Sequence, residues 1–202
     1  MARIAVFIDG FNLYHAIDDV PALHKYKWLN LAKLARCFVT PSDDIKSVFY
    51  FTAYATWSPQ KVEKHKTYVR ALEWEGVKPV FGQFKRKDKK CLKCRQFYVT
   101  FEEKETDVNI AIRLFQTAIT DLYDTAIVIS GDSDLIPALE AVKQTFPNKK
   151  IIVVIPIGRR AEALKQVAHG HMKLKVHHLE TCQFPDVIKK DGVTLKCPDS
   201  WK

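Results

Sequence analysis

Two apolar runs end abruptly in carboxylates, and that pattern restricts the fold more than any other feature of the chain. Residues 4–8 read Ile-Ala-Val-Phe-Ile and pass straight into Asp9 and Gly10. Residues 126–129 read Ala-Ile-Val-Ile and pass through Ser130 and Gly131 into Asp132. A strand exposed on one face would alternate apolar and polar residues, so unbroken runs of this kind predict central parallel strands covered on both faces. In an open parallel sheet the carboxyl ends of such strands face the ligand crevice, which places both acids there.

The rest of the chain supplies the alternation that such a sheet needs. Helices are expected over 12–17 and 29–38, a second strand over 45–55, and a helix over 59–74 that starts at a proline and is closed by Gly76. A third strand is expected over 77–84, followed by a basic segment and RQFYVTFEEKE, which together predict a protruding ribbon or loop. A helix over 106–122, a fourth strand in TAIVIS, a loop and helix, a fifth strand in KKIIVVIP, a helix over 160–169 and a last strand over 174–179 complete the order. Strands alternating with helices predict an α/β three-layer sandwich, its central sheet mostly parallel and its helices on both faces. With 202 residues, 47% of them hydrophobic, the chain can bury one substantial core. We therefore expect a single domain over 1–180 and a C-terminal extension over 181–202, in which Asp191-Gly192 suits a tight hairpin or a loosely packed tail.

Charge and cysteine usage narrow the class. The opening run is too short for a signal peptide's apolar region, and no run approaches a membrane span, so a soluble, cytoplasmic protein is expected. The five cysteines lack regular spacing apart from Cys91 and Cys94, so reduced thiols are expected in place of a disulfide framework. A net charge of +9 favours a polyanionic partner, nucleic acid first. Lys85, Arg86, Lys87, Lys89, Lys90, Lys93 and Arg95 crowd around the single acid Asp88. They form either a solvated face or a surface that binds RNA phosphates, with Phe97 and Tyr98 beside them to stack on bases.

The acids carry the chemistry. Asp132 or Ser133 can cap the helix that follows, and Asp107 sits in the first turn of a helix that Thr106 can cap, where it complements the dipole. Those roles leave Asp9 without a reason. If the first and fourth strands are neighbours at the point where strand order reverses, Asp9 and Asp132 are adjacent, and the helix carrying Asp107 leads directly into that fourth strand. Carboxylates packed together repel one another unless a cation neutralises them, and an all-oxygen set suits Mg²⁺ or Mn²⁺. Such ions activate water, align it with a phosphodiester and stabilise the leaving oxygen.

The segments FIDGFNLYH, EKETDVNIAIRLF and SGDSDLIPALEAV, in this order, resemble the NYN domain in its LabA-like branch, within the PIN-like nuclease superfamily. The resemblance covers roughly residues 2–180 and implies a compact α/β fold and metal-dependent cleavage of RNA, with a single strand as the expected substrate. Carried over by motif, it implies catalytic roles for Asp9, Asn12, Asp107, Asp132 and Asp134. The four aspartates are the expected metal ligands, and Asn12 is a polar helper. His15, on the same helix face as Asn12, is a candidate for touching substrate, and Ser130 and Ser133 for supporting the acids.

Other readings meet specific obstacles. A haloacid-dehalogenase-like phosphatase would need an acid where Phe11 stands and another where Ile136 stands. No Walker loop and no dinucleotide glycine fingerprint is present. A non-catalytic RNA-binding or partner-binding module of the same fold stays open, as do a homo-oligomer and a regulatory protein partner. CLKC supplies half of a zinc site through Cys91 and Cys94, to be completed by Cys182, Cys197, the histidines or a partner chain. The His169–His171 and His177-His178 tracts are expected to be solvated.

Overall fold

The computed structural model describes residues 1–202. The chain runs β1 (Arg3–Asp9), α1 (Gly10–Asp18), α2 (Leu31–Arg36), β2 (Asp44–Thr52), α3 (Pro59–Trp74), β3 (Val77–Phe81), β4 (Gln83–Lys90) and β5 (Phe97–Lys104). It continues through α4 (Thr106–Ile119), β6 (Thr125–Ile129), α5 (Ile136–Thr145), β7 (Lys150–Ile155), α6 (Glu162–Val167), β8 (Gly170–Lys173), α7 (Val176–Thr181), β9 (Val187–Lys190) and β10 (Val193–Lys196). Six strands form one sheet in the order β3-β2-β1-β6-β7-β8, and every neighbouring pair is parallel.

Burial of β1 from Ile4 onward follows from helices on both faces. Ile4, Val6 and Ile8 enter a core built with Leu13 and Ile17 of α1, Leu34 of α2 and Leu72 of α3. Ala5 and Phe7 enter a second core with Ile110 and Leu114 of α4, Leu139 of α5 and Leu164 of α6. The chain leaves β1 toward β2 on one side and leaves β6 toward β7 on the other, so the strand order reverses between β1 and β6. Ile8 lies opposite Ile129, and Asp9 and Ser130 therefore emerge side by side at the carboxyl ends. The turn into α1 needs glycine: a Cβ on Gly10 would lie 2.5 Å from the Phe51 carbonyl oxygen and 2.6 Å from the Tyr50 ring.

Three expectations change. The strand expected over 77–84 is broken at Gly82, after which β4 pairs antiparallel with β5 as a separate ribbon. No strand forms over 174–179; the sixth sheet strand is β8, and residues 176–181 are helix α7. Leu174 and Leu179 both enter the first core, yet five residues apart on a strand they would point to opposite faces. The Leu174 N–H closes the sheet on the Ile155 carbonyl at 2.9 Å, and the Lys175 N–H, donating to His178 Nδ1 at 3.1 Å, starts the helix. The histidine tracts are also more than solvated surface, because His169 Nδ1 accepts from the Ile151 N–H at 3.0 Å and His178 packs edge-on against Phe38.

The tail forms the β9–β10 hairpin, with Asp191 and Gly192 both at positive φ, the conformation a two-residue turn of this hand requires. Its Leu195 and the following Cys197 are buried in the first core. No helix is long and apolar enough to cross a membrane.

Candidate active site

Asp9 caps α1 at its N-terminus, where Oδ1 accepts the Asn12 N–H at 3.0 Å. Oδ2 accepts the Ser130 hydroxyl at 2.8 Å, and Ser130 Oγ in turn accepts the Asp132 N–H at 3.0 Å. Asp132 caps the single turn over Ser133–Leu135, with Oδ1 accepting from Asp134 N–H at 3.0 Å. Each acid is thus fixed by the main chain of the element it opens. Asn12 Oδ1 accepts the Gly131 N–H at 2.9 Å and ties α1 to the loop after β6.

Asp107, in the first turn of α4, completes the group: one carboxylate oxygen from each of Asp9, Asp107 and Asp132 lies within 4.8 Å of the others. The electrostatic consequence is large. Burial, and then the charges of Asp132 and Asp9, push the Asp107 carboxyl up to about 6. Burial also raises Asp9, against the bonds from Asn12 and Ser130 that hold it down. Three carboxylate oxygens gathered where ionisation of Asp9 and Asp107 is resisted fit a hard divalent cation, which would reverse the penalty. Asp134 and Ser133 are exposed and stay outside this group.

The acids line a cavity of about 280 Å³ together with Asn12, His15, Asp19, Glu103 and Arg159. Glu103, Asp19 and Arg159 were not singled out by sequence reasoning. Glu103, rather than Thr106, caps α4: its Oε1 accepts the Thr106 N–H at 3.0 Å and the Thr106 hydroxyl. An acid three residues before a helix start was the available signal. Arg159 follows β7 at the same carboxyl edge of the sheet. It donates from Nη2 to Asp19 Oδ2 at 2.8 Å, while its Nε is buried with no partner.

A larger cavity of about 640 Å³ adjoins the first and shares Phe11, His15 and Glu103 with it. Its walls are aromatic, including Tyr50, Tyr68, Phe84 and a Trp57–Phe101 pair stacked at 3.9 Å, with Lys27, Lys61 and Lys64 among its lining. Burial pushes His65, also in the lining, down to about 4, so its imidazole is neutral at pH 7.

The ribbon divides the basic segment. In its register Lys85, Lys87 and Lys89 share a face with Glu102, which bonds Lys89 at 2.8 Å and Lys87 at 3.2 Å. Arg86 and Lys90 lie on the opposite face with Phe97, Phe101 and Glu103, the face that turns into the cavities. Lys93, Arg95, Cys91 and Cys94 lie at the tip. Main-chain N–H groups of Cys94 and Lys93 hold the Cys91 thiol below its ordinary range. Cys182 and Cys197 are buried in the first core and supply nothing there.

Comparisons with known proteins agree with this architecture. The chain is 26% identical over 240 aligned residues to 6-hydroxy-3-succinoylpyridine 3-monooxygenase HspA of Pseudomonas putida (strain DSM 28022 / S16), covering 98% of this chain and 75% of that protein. It superposes with a TM-score of 0.59 on the crystal structure of VPA0982 from Vibrio parahaemolyticus RIMD 2210633, a protein of unknown function, at 18% identity over 86% of this chain and 93% of the other. That likeness concerns the fold. The NYN domain family model matches residues 3–175, a span that holds all three clustered acids, and the chain belongs to the NYN domain family.

Proposed function

We propose that this protein is a divalent-metal-dependent ribonuclease acting on single-stranded RNA. The observation that carries the reading is the Asp9, Asp107 and Asp132 cluster, contributed by three different elements at the reversal point of the sheet. These carboxylates would hold Mg²⁺ or Mn²⁺, which when bound supplies Lewis-acid activation of water and neutralises charge on the reacting phosphate.

The chain's own residues do the rest. Ser130 fixes the Asp9 carboxylate and Asn12 fixes the Gly131 main chain, so two acids are oriented before substrate arrives. Arg159 places a guanidinium in the wall of the acid cavity, where its charge would attract the phosphate. His15, shared by both cavities, stands where it would meet the nucleotide beside the scissile bond. Arg86 and Lys90 extend the basic ribbon face toward the site and would guide the RNA backbone.

The test is incubation of purified protein with single-stranded RNA and Mn²⁺, with and without chelator. Cleavage that is lost with chelator and in Asp9→Asn and Asp132→Asn supports the reading. Removing one ligand should cost on the order of a thousandfold in rate, about 4 kcal/mol of transition-state stabilisation. Chelator-sensitive cleavage that persists in both variants would place the chemistry elsewhere. RNA binding without cleavage would favour a non-catalytic module.

A second reading has one observation in its favour: the aromatic cavity beside the acids is large enough for a heteroaromatic ring, and the Pseudomonas putida relative is named for oxygenation of a pyridine. Oxygen consumption with a hydroxypyridine acid and a reduced nicotinamide, absent without the pyridine, would support that reading against cleavage of RNA.

A further inference from the structure

The tip of the β4–β5 ribbon is built for a purpose that the acid site does not use. Cys91 and Cys94 are separated by two residues, and the turn between them is closed at both ends: the Arg95 N–H donates to the Cys91 carbonyl at 2.9 Å, and the Cys91 N–H to the Gln96 carbonyl at 2.8 Å. Arg95, directly after the second cysteine, sits in the left-handed region at φ 58, a conformation that a non-glycine residue adopts only when its surroundings hold it there. The Cys91 thiol is held below its ordinary range by the main-chain N–H groups of Cys94 and Lys93 and by the Cys94 side chain. Two cysteines on one tight turn, two residues apart, make two adjacent corners of a tetrahedral thiolate site.

This chain supplies no other corner. The acid cluster is the one place where three or more ligand-type side chains bring their donor atoms together, and it contains no cysteine. Cys182 lies 3.4 Å from Cys37, and Cys182 and Cys197 are buried in the core. The ribbon pairs with no strand of the main sheet, and beside the two cysteines its tip exposes large apolar groups: Leu92 is 97% exposed and Phe97 75%. Those residues are what a second ribbon tip would cover.

We propose that Cys91 and Cys94 form half of a structural zinc site that is completed by the same two residues of a second copy of this chain. One Zn²⁺ then takes four thiolates, four thiol protons leave to solvent, and no oxidant or reductant is involved. The charge balance accounts for the company these cysteines keep. Lys89, Lys90, Lys93 and Arg95 surround the tip, and two such tips would repel each other. Four thiolates around one Zn²⁺ carry a net negative charge, which reverses that repulsion. The proposal is independent of the acid site, whose oxygen ligands favour harder ions.

The experiment is a Co²⁺ titration of the reduced full-length protein, read by absorption and by light scattering on a sizing column. A thiolate-to-cobalt charge-transfer band that saturates at one Co²⁺ per two chains, appears together with a doubled mass and bleaches on addition of Zn²⁺ is the expected result. The double variant Cys91→Ser and Cys94→Ser, altered only at the solvent-facing tip, should lose both the band and the dimer while keeping its circular dichroism. Asp9→Asn should keep both, so failure of the ribonuclease reading leaves this result standing. No charge-transfer band, or a band that saturates at one Co²⁺ per chain with the mass unchanged, would overturn the shared site.

Discussion

Asp107→Asn tests the electrostatics of the acid cluster without substrate. Burial and the neighbouring carboxylates move Asp107 from 3.8 to about 6 in the fold. Such a difference corresponds to about 3 kcal/mol between protonation states. Roughly half of this side chain is in water, and screening reduces its effect on stability to about 1 kcal/mol. The sign is opposite to that of a salt-bridged acid. With the folded pKa above the unfolded one, the native state binds more protons between about pH 4 and pH 6, so metal-free stability falls as pH rises through that window and stays low above it. Asparagine does not ionise, so the variant should match the wild type near pH 4 and exceed it above pH 6, by about 2–4 °C in Tm for a chain of this size. Thermal unfolding in EDTA across that range measures the gap directly. Adding Mn²⁺ should invert the order, since a ligand at a hundred times its Kd stabilises the wild type by about 2.7 kcal/mol and the variant has lost an oxygen that holds it. A metal-free variant that melts at or below the wild type at pH 8, with a gap that does not change with pH, would refute the reasoning.

Ser130→Ala should destabilise by about 1–3 kcal/mol, because it leaves a buried Asp9 oxygen and the Asp132 N–H unpaired; chemical denaturation measures it. Gly10→Ala forces a Cβ against the Phe51 carbonyl oxygen and should cost about 1–3 kcal/mol or more, together with any RNA cleavage, since it displaces the turn that carries Asp9. Replacing Arg86 and Lys90 by Ala should flatten the slope of log RNA affinity against log salt by about 0.7 per lost contact, while Lys87→Ala, on the opposite face of the ribbon, should change it less. Equal effects from both faces of the ribbon would show that the register does not select which cations meet RNA. Arg159→Ala should raise KM for RNA more than tenfold and leave metal affinity, read by calorimetry, nearly unchanged.

What the sequence made legible was whatever depends on period and on chain order. The runs at Ile4 and Ala126 are buried on both faces, so their unbroken apolar character identified them as central strands, whereas the adjacency of β1 with β6 was a condition that the strand order meets. Asp9 and Asp132 were legible for the same reason. Glu103 and Arg159 were not, because neither belongs to a periodic pattern: one reaches forward three residues to cap α4, and the other is brought in by the loop after β7. Residues 174–179 misled because LKVHHL alternates well enough for a strand, whereas the competing signal is a histidine ring that accepts a main-chain N–H three residues away. The division of the ribbon's cations into two faces required the register with β5, which depends on contacts between strands and not on the basic run itself.

Caps and site share atoms at two of the three acids, and this explains why Asp9 and Asp132 hold their places despite mutual repulsion. Asp9 and Asp132 each accept a main-chain N–H that would otherwise lack a partner at the start of a helix or turn, so protonating or removing either costs a cap as well as a charge. Asp107 accepts no such bond, and burial with the neighbouring charges pushes its carboxyl up to about 6. The cluster is therefore unequal by construction: Asp9 and Asp132 are oriented by the backbone and Asp107 is not, while burial raises the Asp9 and Asp107 carboxyls alike. Binding of a divalent cation at acid pH should accordingly be limited by proton release from Asp107 and Asp9, and metal affinity should rise with pH as these carboxyls ionise. Calorimetric titration of Mn²⁺ from about pH 5 to pH 8 in buffers of different ionisation enthalpy reads this as proton release per ion that is largest at the acid end and falls as the pH rises. Proton release that stays constant across the range would refute the link between metal binding and these raised carboxyls.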